Sequence, residues 1–560
     1  MNLNVTVENY GKVVLTDKNY LAQGGEASVY VKDDLAFKLY HDPNKMIPLA
    51  KIEELKQIPP SNVLKPRSVI RENNIPVGYI MTFQKNTHPI CKLFTKAFRK
   101  KNNVDNDKII ELIKRIQETI EQVHRANCLV VDLNEMNILA SSRFKVPYFI
   151  DVDSYQTPSY KATAIMDSIR DRLVKNNEFT EESDWFSFAI LAFQMYIGIH
   201  PYQGKHPNYK PNEWTKRMDD GISVFDRAVS IPRICNDFSV IPKSHLEWFK
   251  SIFIKNKRSI PPLPDFVGVI SVAEPIQKVV GTEGFETKLV RQYDETIFSV
   301  FNFMGVNYAV GASKIYKEDK ALSIAITDAR KTEICESSNM SPIICELSDK
   351  GMLHCRNLTG TTVSLTKSDG FMYRNGAIYS VCNDKLIENT FVAMKDAAIA
   401  KTREACNVLD NATHIFDGVI FQDILGKCFV TLPYEAGKCL VRPIPELDRY
   451  RILEARSERN VVGVLAEKKG KYDRFVIIFN ETFTAYTSRV TQNIGYSAIN
   501  LTVLPTGICV MACDANVEIF KGNKVKVIAN PPFDTSTRLF NYSGSVFFID
   551  GNMVYSTKTK

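Results

Sequence analysis

The chain has 560 residues, of which 44% are hydrophobic and 24% charged, values typical of folded globular proteins, so a largely disordered chain is excluded. Because this length exceeds what one hydrophobic core usually organises, we expect two large domains, or one domain and a repeat array. The net charge of +8 is small for so large a surface and gives no indication of a nucleic-acid partner.

The cysteines and the N-terminal sequence indicate a cytoplasmic protein. Twelve cysteines are scattered singly, without the paired or Cys/His spacing of zinc sites, so they predict neither a disulfide framework nor a metal site. The N-terminus has no charged stretch followed by an apolar one, and no apolar run reaches the roughly 18 residues of a membrane span. We therefore expect neither secretion nor a membrane partner.

Roughly the first 85 residues alternate between strand-like runs and turns, which predicts a small antiparallel sheet. Between the third and fourth strands, apolar residues at every third position predict a short helix that Pro59 and Pro60 end. The predicted strands are 13–20, 27–32, 35–40 and 76–83, and the apolar helix positions are Leu49, Ile52, Leu55 and Ile58.

A helical region follows this sheet. Residues 106–126 form a strongly amphipathic pattern, and residues 184–199 are apolar nearly all round, which is typical of a helix at the centre of a helical lobe. The Pro-rich segment 259–266 breaks the pattern and predicts a domain boundary. A basic run at 92–101 contains no acidic residue. We interpret this run as a solvated face, with binding of phosphates or of an acidic partner as the alternative.

The last part of the chain has a β pattern. Short apolar or alternating strands recur between Gly, Asn, Asp and Lys turns, at a period of about 40 to 45 residues that predicts the blades of a β-propeller. The length of this part allows six or seven blades. No repeated blade signature is present, so a double β-sandwich is the alternative. Cys509 and Cys513 alternate on one strand face, and we interpret them as core residues.

The N-terminal half contains candidates for the groups that phosphoryl transfer from ATP requires. Gly24 and Gly25 follow a strand and leave room for phosphates beneath the backbone, although a plain hairpin turn has the same pattern. Lys38 lies on the inward side of an apolar strand, where an unpaired cation would be costly. Glu53 and Glu54 on the following helix are possible partners for it.

Two acidic blocks follow along the chain. Asp132 and Asn137 lie five residues apart in a loop between short apolar strands, where a carboxylate can accept a hydrogen bond from a substrate hydroxyl and an amide oxygen can bind a metal. Turn formation alone would also explain an Asp and an Asn there. Asp151 and Asp153 follow an apolar run, at a distance along the chain that suits a hairpin returning to the same place.

These blocks resemble the motifs of the protein kinase superfamily, in the form of divergent bacterial and phage kinases. The segment VVDLNEMNIL resembles the kinase catalytic loop, which implies Asp132 as the catalytic base and Asn137 as a metal ligand. The segment FIDVDSY resembles the kinase metal-binding block, which implies Asp151 as the main magnesium ligand. The segments LAQGGEASVY and AFKLY resemble the Gly-rich loop and the lysine strand of kinases. The resemblance thus implies the nucleotide-binding residues Gly24, Gly25, Lys38, Glu53 and Met81, with Lys38 also catalytic.

The resemblance extends to the apolar helix with a buried Asp184 and to the turn that follows it. The implied fold is α+β: a bilobal kinase-like domain at 1–265, a linker at 266–279 and an all-β domain at 280–560. The implied cofactors are ATP and Mg²⁺. The implied activity is phosphorylation of protein serine or threonine residues, with the β domain recruiting protein substrates or partners.

Several residues depart from the family's motifs. Val130 and Val131 replace the His and Arg that precede the catalytic Asp, Asn134 replaces a lysine, and Asp153 replaces a glycine. No A-P-E block is recognisable before Glu182. These departures leave two alternatives open: a pseudokinase scaffold that acts through the β domain, and a kinase for small molecules.

Overall fold

In the computed structural model the chain divides into two compact units. Unit 1 contains residues 1–279 together with the segments 467–472 and 492–497, and unit 2 contains the remaining residues. The predicted linker at 266–279 lies outside the described residues. No described helix has the length and apolar character needed to cross a bilayer. The structure describes residues 2–162, 164–264, 284–303, 305–339, 341–394, 398–522 and 524–559.

The main sheet of unit 1 has seven antiparallel strands. These are β1 (Asn2–Val7), β2 (Gly11–Thr16), β3 (Tyr20–Gln23), β4 (Ala27–Lys32), β5 (Leu35–Tyr40), β6 (Ser68–Glu72) and β7 (Ile75–Thr82). Their order in the sheet is β2-β1-β6-β7-β5-β4-β3. The predicted antiparallel sheet is confirmed, with β1 and β6 as additional strands and with the predicted strand 13–20 divided into β2 and β3 by a short 3-10 helix at Asp17–Asn19.

Helix α1 (Leu49–Lys56) packs against this sheet. Its Ile52 is buried in a cluster with Tyr79 of β7, as its place in the apolar spacing predicts. In β7, Gly78 approaches β5 so closely that a Cβ atom would lie 2.0 Å from the carbonyl oxygen of Lys38. Contact between the two strands therefore fixes the backbone at Lys38.

A helical part follows in unit 1. Its helices are α2 (Lys96–Lys101), α3 (Asn106–Arg125), α4 (Glu181–Ile197), α5 (Trp214–Asp219) and α6 (Lys243–Phe253). Helix α4 contacts α3 and α6, and its side chains are buried from Ser183 to Ile197, which confirms the predicted central helix. It ends at Gly198, where φ is +87° and a Cβ atom would lie 2.6 Å from the carbonyl oxygen of Phe94.

The basic run at 92–101 is partly internal. Arg99 is buried, and its guanidinium group donates hydrogen bonds to the carbonyl oxygens of Leu93 and Met195. The ammonium group of Lys96 lies 3.4 Å from the carbonyl oxygen of Cys235. The interpretation of this run as a solvated face is therefore wrong for Arg99, which holds helix α4 in place.

A small sheet contains the two strands that connect the first acidic block to the second. It contains β8 (His88–Pro89), β9 (Ile138–Ala140) and β10 (Pro147–Phe149), in the order β10-β9-β8. Strands β9 and β10 are antiparallel, with Ile138 opposite Phe149. The predicted hairpin between the two acidic blocks is confirmed.

The described residues of unit 2 form seven four-stranded sheets. The first six are β12 (Ile297–Phe303), β13 (Val306–Gly311), β14 (Lys314–Lys317), β15 (Lys320–Ala325); β16 (Thr332–Glu336), β17 (Pro342–Leu347), β18 (Met352–Asn357), β19 (Thr362–Lys367); β20 (Gly370–Arg374), β21 (Ala377–Cys382), β22 (Lys385–Ala393), β23 (Ala398–Asn407); β24 (Thr413–Phe416), β25 (Val419–Ile424), β26 (Lys427–Glu435), β27 (Lys438–Pro443); β28 (Arg451–Glu458), β29 (Val461–Lys468), β30 (Lys471–Phe479), β31 (Tyr486–Ile494); and β32 (Asn500–Val503), β33 (Cys509–Ala512), β34 (Asn516–Lys521), β35 (Lys524–Ala529). The seventh combines β11 (Phe285–Gln292) with β36 (Arg538–Tyr542), β37 (Ser545–Asp550) and β38 (Met553–Thr559).

The seven sheets follow one another in a closed ring. One edge strand of each sheet contacts an edge strand of the next, in the succession β12, β16, β20, β24, β28, β32 and β36, and β36 also contacts β12. Strand β11 pairs with β38, so one sheet joins both ends of the unit. The predicted repetition of short strands is confirmed, and the alternative of a double sandwich is wrong. Cys509 and Cys513 are buried, which confirms them as core residues.

Candidate active site

Lys38 lies at the centre of a cluster of acidic and phenolic side chains. Its ammonium group lies 2.9 Å from Asp151 Oδ1 and 2.7 Å from Asp153 Oδ2. Burial alone would lower the pKa of Lys38, but Tyr79, Asp153 and Asp151 outweigh this effect and raise the pKa well above its ordinary value. The lysine is therefore a permanent cation, and its need for an acidic partner is met by two carboxylates.

Asp153 is the more buried of these partners. Its Oδ2 accepts a hydrogen bond of 2.6 Å from the Tyr40 hydroxyl, and its carbonyl oxygen accepts one of 2.7 Å from the Lys51 ammonium group. Burial opposes ionisation, but the charge of Lys38 and side-chain hydrogen bonds from Lys38, Tyr40 and Tyr79 lower the pKa of Asp153 to about 2. The sequence indicated Asp153 as an acid next to Asp151 and as a departure from glycine, but not as a partner of Lys38. Its proximity to Lys38 depends on the turn after β10, which residue spacing does not reveal.

Glu53 does not reach Lys38. Its carboxylate lies 2.7 Å from the Lys56 ammonium group, and its side chain is 66% exposed. The buried residues of α1 are Lys51, Ile52 and Leu55, so the face of the helix toward the sheet carries a lysine, and Glu53 lies outside it. The expected ion pair between Lys38 and Glu53 is therefore not formed, and Asp153 takes that place.

Gly24 and Gly25 lie in the turn between β3 and β4, and Met81 lies in β7, so all three belong to the region of the sheet that contains Lys38. The Gly24 amide donates to the carbonyl oxygen of Ala27 at 2.8 Å, which closes the turn between β3 and β4. A Cβ atom on Gly25 would meet nothing within 4 Å, so packing does not require glycine there. Met81 pairs with Ala36 of β5 and packs against the buried cluster around Ile52. These contacts describe a turn and a strand pairing, so the nucleotide-binding role of Gly24, Gly25 and Met81 stays a prediction.

The loop before Asp132 is held by Asp184, which is fully buried. The Asp184 carboxylate accepts the amide hydrogens of Val130 and Val131, both at 2.8 Å, and lies 2.9 Å from His124 Nε2. Val131 has φ of +61°, which is costly for a β-branched residue and persists only where neighbours impose it. Asp184 thus fixes a strained turn immediately before Asp132.

Each oxygen of the Asp132 carboxylate already accepts a hydrogen bond. Oδ1 accepts the Met166 amide at 2.9 Å, and Oδ2 accepts the side-chain amides of Asn134 at 3.0 Å and Asn137 at 3.2 Å. Burial raises the pKa of Asp132 despite these bonds, because all the donors are neutral. A raised pKa makes the carboxylate a better proton acceptor. Asn134, which the sequence marked as a departure, helps to position it.

Asn137 and Asp151 lie side by side at the end of the β9–β10 hairpin. The Ile150 amide donates to the carbonyl oxygen of Asn137 at 2.9 Å, and Asp151 adopts a left-handed conformation with φ of +58°. The Asn137 side-chain nitrogen points to Asp132, which leaves its oxygen Oδ1 as an acceptor. Lys38 therefore contacts Asp151, the Ile150 amide next to Asp151 bonds the backbone of Asn137, and the Asn137 side chain bonds Asp132.

The donor set suits magnesium bound together with a nucleotide. No group of three or more His, Cys, Asp or Glu side chains in the described part of the chain is arranged to hold a metal ion alone. Magnesium, however, is commonly bound by one or two carboxylates, with nucleotide phosphates and water completing the shell. Asp151 is 45% exposed and Asn137 offers an amide oxygen, so both fit this type of site.

Unit 1 also includes a segment from far along the chain, residues 467–472. The Tyr472 hydroxyl donates to the buried Glu135 carboxylate, next to Asn134 in the loop. Gly470 has φ of +74°, and a Cβ atom there would lie 2.2 Å from the sulfur of Met166. The same Met166 bonds Asp132 through its amide. Sequence reasoning missed these contacts because nothing local to residues 467–472 indicates a partner more than 300 residues away.

Comparison with known proteins does not assign the chain to a family. No family model matches the chain, and no curated protein matches it. The functional interpretation therefore rests on the contacts that join Lys38, Asp151, Asn137 and Asp132, and on the resemblance of their sequence blocks to kinase motifs.

Proposed function

We propose that unit 1 is a divergent, bilobal kinase-like domain that uses ATP and Mg²⁺ to phosphorylate serine or threonine residues of proteins. The observation that carries this proposal is a set of linked contacts: Lys38 bonds Asp151, the amide of the preceding residue Ile150 bonds the Asn137 carbonyl oxygen, and the Asn137 side chain bonds Asp132. A cation for phosphates, two oxygen ligands for a metal and a carboxylate for a hydroxyl are the groups that phosphoryl transfer requires.

Each of these residues has a separate role in the proposed reaction. Asp151 and Asn137 hold Mg²⁺, which neutralises charge on the phosphates when it is bound. Lys38 binds the nucleotide phosphates while Asp153, with a pKa of about 2, stays ionised and keeps the lysine oriented. Asp132 orients the attacking hydroxyl and accepts its proton, a role that its raised pKa favours.

The hydrogen bond from Met166 has a consequence for this mechanism. The Met166 amide donates to Asp132 Oδ1, and Oδ2 is taken by two asparagine amides. A substrate hydroxyl must therefore replace Met166 at Oδ1, or share that oxygen with it, before its proton can pass to the carboxylate. Access of substrate thus depends on the chain around Met166.

The same observations support a second candidate, a pseudokinase scaffold. Lys38 is already paired with two carboxylates, and Asp132 is already hydrogen-bonded at both oxygens, so the cluster is complete without a nucleotide. A kinase for small molecules is a further alternative on the same residues. In each case we propose that unit 2 is a seven-bladed β-propeller that recruits protein partners in the cytoplasm.

The test is transfer of labelled phosphate from ATP with Mg²⁺ to generic protein substrates. Replacing Asp132 or Asp151 by Asn should lower the rate by about 100-fold or more. The matched control is Asp349→Asn, at a side chain 94% exposed in unit 2, and it should leave the rate unchanged. Transfer that survives both substitutions would contradict the assignment.

Two further readouts separate the alternatives. A kinase raises its melting temperature when it binds nucleotide, so the absence of any such stabilisation would favour the scaffold. Transfer of label only to small hydroxylated compounds would favour the small-molecule kinase. Analysis of the phosphorylated amino acid would then identify serine, threonine or tyrosine as the acceptor.

A further inference from the structure

Two cysteines of unit 2 face each other between neighbouring sheets. Cys406 lies on β23 and Cys439 on β27, and their sulfur atoms are 3.6 Å apart. Strands β23 and β27 belong to consecutive sheets of the ring and contact each other. The two thiols are therefore close in space although they belong to separate sheets and lie 33 residues apart along the chain.

A β-bulge lies directly beside each of these cysteines. The register shifts between Leu386, which pairs with Cys406, and the next pair of that ladder. It shifts again beside Pro433, which pairs with Cys439. Bulges re-aim side chains that a regular strand would place elsewhere. The extra residue lies in β23 itself beside Cys406, and in β26, the strand paired with β27, beside Cys439.

Accessibility separates this pair from Cys345 and Cys355, another close pair of cysteines in the ring. Cys406 and Cys439 are both half-buried, so a small oxidant can reach them. Cys345 and Cys355 also face each other, as a directly opposed pair on neighbouring strands, but both are buried and at most 1% exposed. The molecule therefore contains an accessible thiol pair and a sealed one.

We propose that Cys406 and Cys439 form a reversible disulfide in response to peroxide, which joins the third and fourth sheets of the ring covalently. The Cys406 thiolate attacks one peroxide oxygen: an S–O bond forms, the O–O bond breaks, and hydroxide leaves. The Cys439 sulfur then attacks the sulfenic sulfur: the S–S bond forms, the S–O bond breaks, and a second hydroxide leaves. The two thiol protons convert both hydroxides to water.

The electrostatics of the pair assign Cys406 as the attacking thiol. The hydrogen bond between the thiols lowers the pKa of Cys406 and, together with burial, raises the pKa of Cys439. Cys406 therefore ionises first, and the thiolate is the nucleophile. Cys345 differs, because burial raises its pKa well above the ordinary value.

The test is peptide mass mapping of the folded full-length chain after brief treatment with hydrogen peroxide and blocking of free thiols with N-ethylmaleimide. We expect one crosslinked peptide pair that contains Cys406 and Cys439, lighter by two hydrogens, and its loss on treatment with dithiothreitol. Cys345 and Cys355 should stay unlinked. Because this readout uses the native sequence, it does not depend on any variant folding.

Variants then identify the residues. Cys439→Ser should leave Cys406 as a sulfenic acid that dimedone traps, whereas Cys345→Ser should still form the Cys406–Cys439 link. The melting temperature of the oxidised native chain should rise and return on reduction. Full labelling of Cys406 and Cys439 by N-ethylmaleimide after peroxide, or a crosslink that joins other cysteines equally, would overturn the proposal.

Discussion

Lys38 in unit 1 and Arg374 in unit 2 are both cations with little exposure to solvent, and they are held by different kinds of group. Lys38 in unit 1 contacts two carboxylates, which raise its pKa. Arg374 in unit 2 is 4% exposed and donates to the carbonyl oxygens of Pro433, Gly418 and Arg459 and to a serine hydroxyl. Burial lowers the pKa of Arg374 to about 10, since no carboxylate compensates for it.

This difference distinguishes a cation whose partners can be exchanged from a structural cation. The carbonyl partners of Arg374 belong to the backbone of several sheets, so the arginine holds those sheets together and has no reason to exchange its partners. The carboxylates of Lys38 are side chains at the end of a hairpin, and one of them, Asp151, is half exposed. Phosphate oxygens can replace such a partner. Burial of a charge is therefore a weaker indicator of function than partners that can be exchanged.

The largest expected effect comes from removing each cation in turn. Lys38→Met leaves the buried Asp153 without its cation and should lower the free energy of unfolding of unit 1 by about 3 kcal/mol. Arg374→Met leaves several carbonyl oxygens unpaired and should destabilise unit 2 by a comparable amount. Urea unfolding measures both effects.

Nucleotide binding should separate these two variants. We expect Lys38→Met to abolish the rise in melting temperature with ATP and Mg²⁺, and Arg374→Met to retain it. If both variants kept the rise, or both lost it, the distinction between an exchangeable and a structural cation would fail.

The next effect is a dependence of stability on pH. Asp153 has a pKa of about 2 in the folded chain against an ordinary value of 3.8. Because the folded pKa is lower, Asp153 contributes about 2 kcal/mol above pH 4, and this contribution is lost as the pH falls toward 2. The unfolding free energy of unit 1 should therefore drop in this interval.

The matched variant for this pH effect is Asp153→Asn. It removes the titrating group, so the drop between pH 4 and 2 should become smaller by about the same 2 kcal/mol. An undiminished drop in the variant would show that other carboxylates cause it. Arg374 has no acidic partner of this kind, so Arg374→Met should leave the drop as it is in the native chain.

The order of these elements along the chain was predictable, and their partners were not. The apolar spacing predicted α1, the central helix α4 and the hairpin before Asp151, because those patterns are local. The pairing of Lys38 with Asp153 was not predicted, because it depends on which face of α1 is buried and on a turn with φ of +58° at Asp151. Local periodicity carries no information about such contacts.

The ring shows the same limit on a larger scale. Repeated short strands predicted a series of sheets, and seven are present in the part of unit 2 that the structure describes. The pairing of β11 with β38 is not a local feature, and neither is the approach of Cys406 to Cys439. Sequence reasoning found each cysteine as a scattered single residue. The bulges beside those two are visible only in the strand register.

A smaller effect should follow from Gly470→Ala. The added Cβ atom would lie 2.2 Å from the Met166 sulfur, so Met166 must shift and its hydrogen bond to Asp132 should weaken. If Met166 competes with substrate, phosphoryl transfer should become faster, by roughly threefold to tenfold for a loss of about 1 kcal/mol. Steady-state rates with a protein substrate measure this.

Gly544→Ala is the matched control for this substitution. Gly544 has φ of +76°, close to that of Gly470, but a Cβ atom there would meet nothing within 4 Å. Both variants therefore carry the same backbone strain, and only Gly470→Ala moves Met166. Equal rates in the two variants would show that the Met166 bond does not limit access to Asp132.

The smallest effect should come from Glu53→Gln, and it bears directly on how Lys38 is held. In the kinase family's pattern this glutamate would pair with the lysine, and its loss would impair nucleotide binding. Here Glu53 pairs with Lys56 and is 66% exposed, so we expect stability to change by no more than about 0.5 kcal/mol. Affinity for ATP, measured by titration, should stay the same, whereas Asp153→Asn should weaken it. A large loss from Glu53→Gln would mean that α1 turns to bring Glu53 to Lys38 when nucleotide binds, and that Asp153 holds the lysine only in its absence.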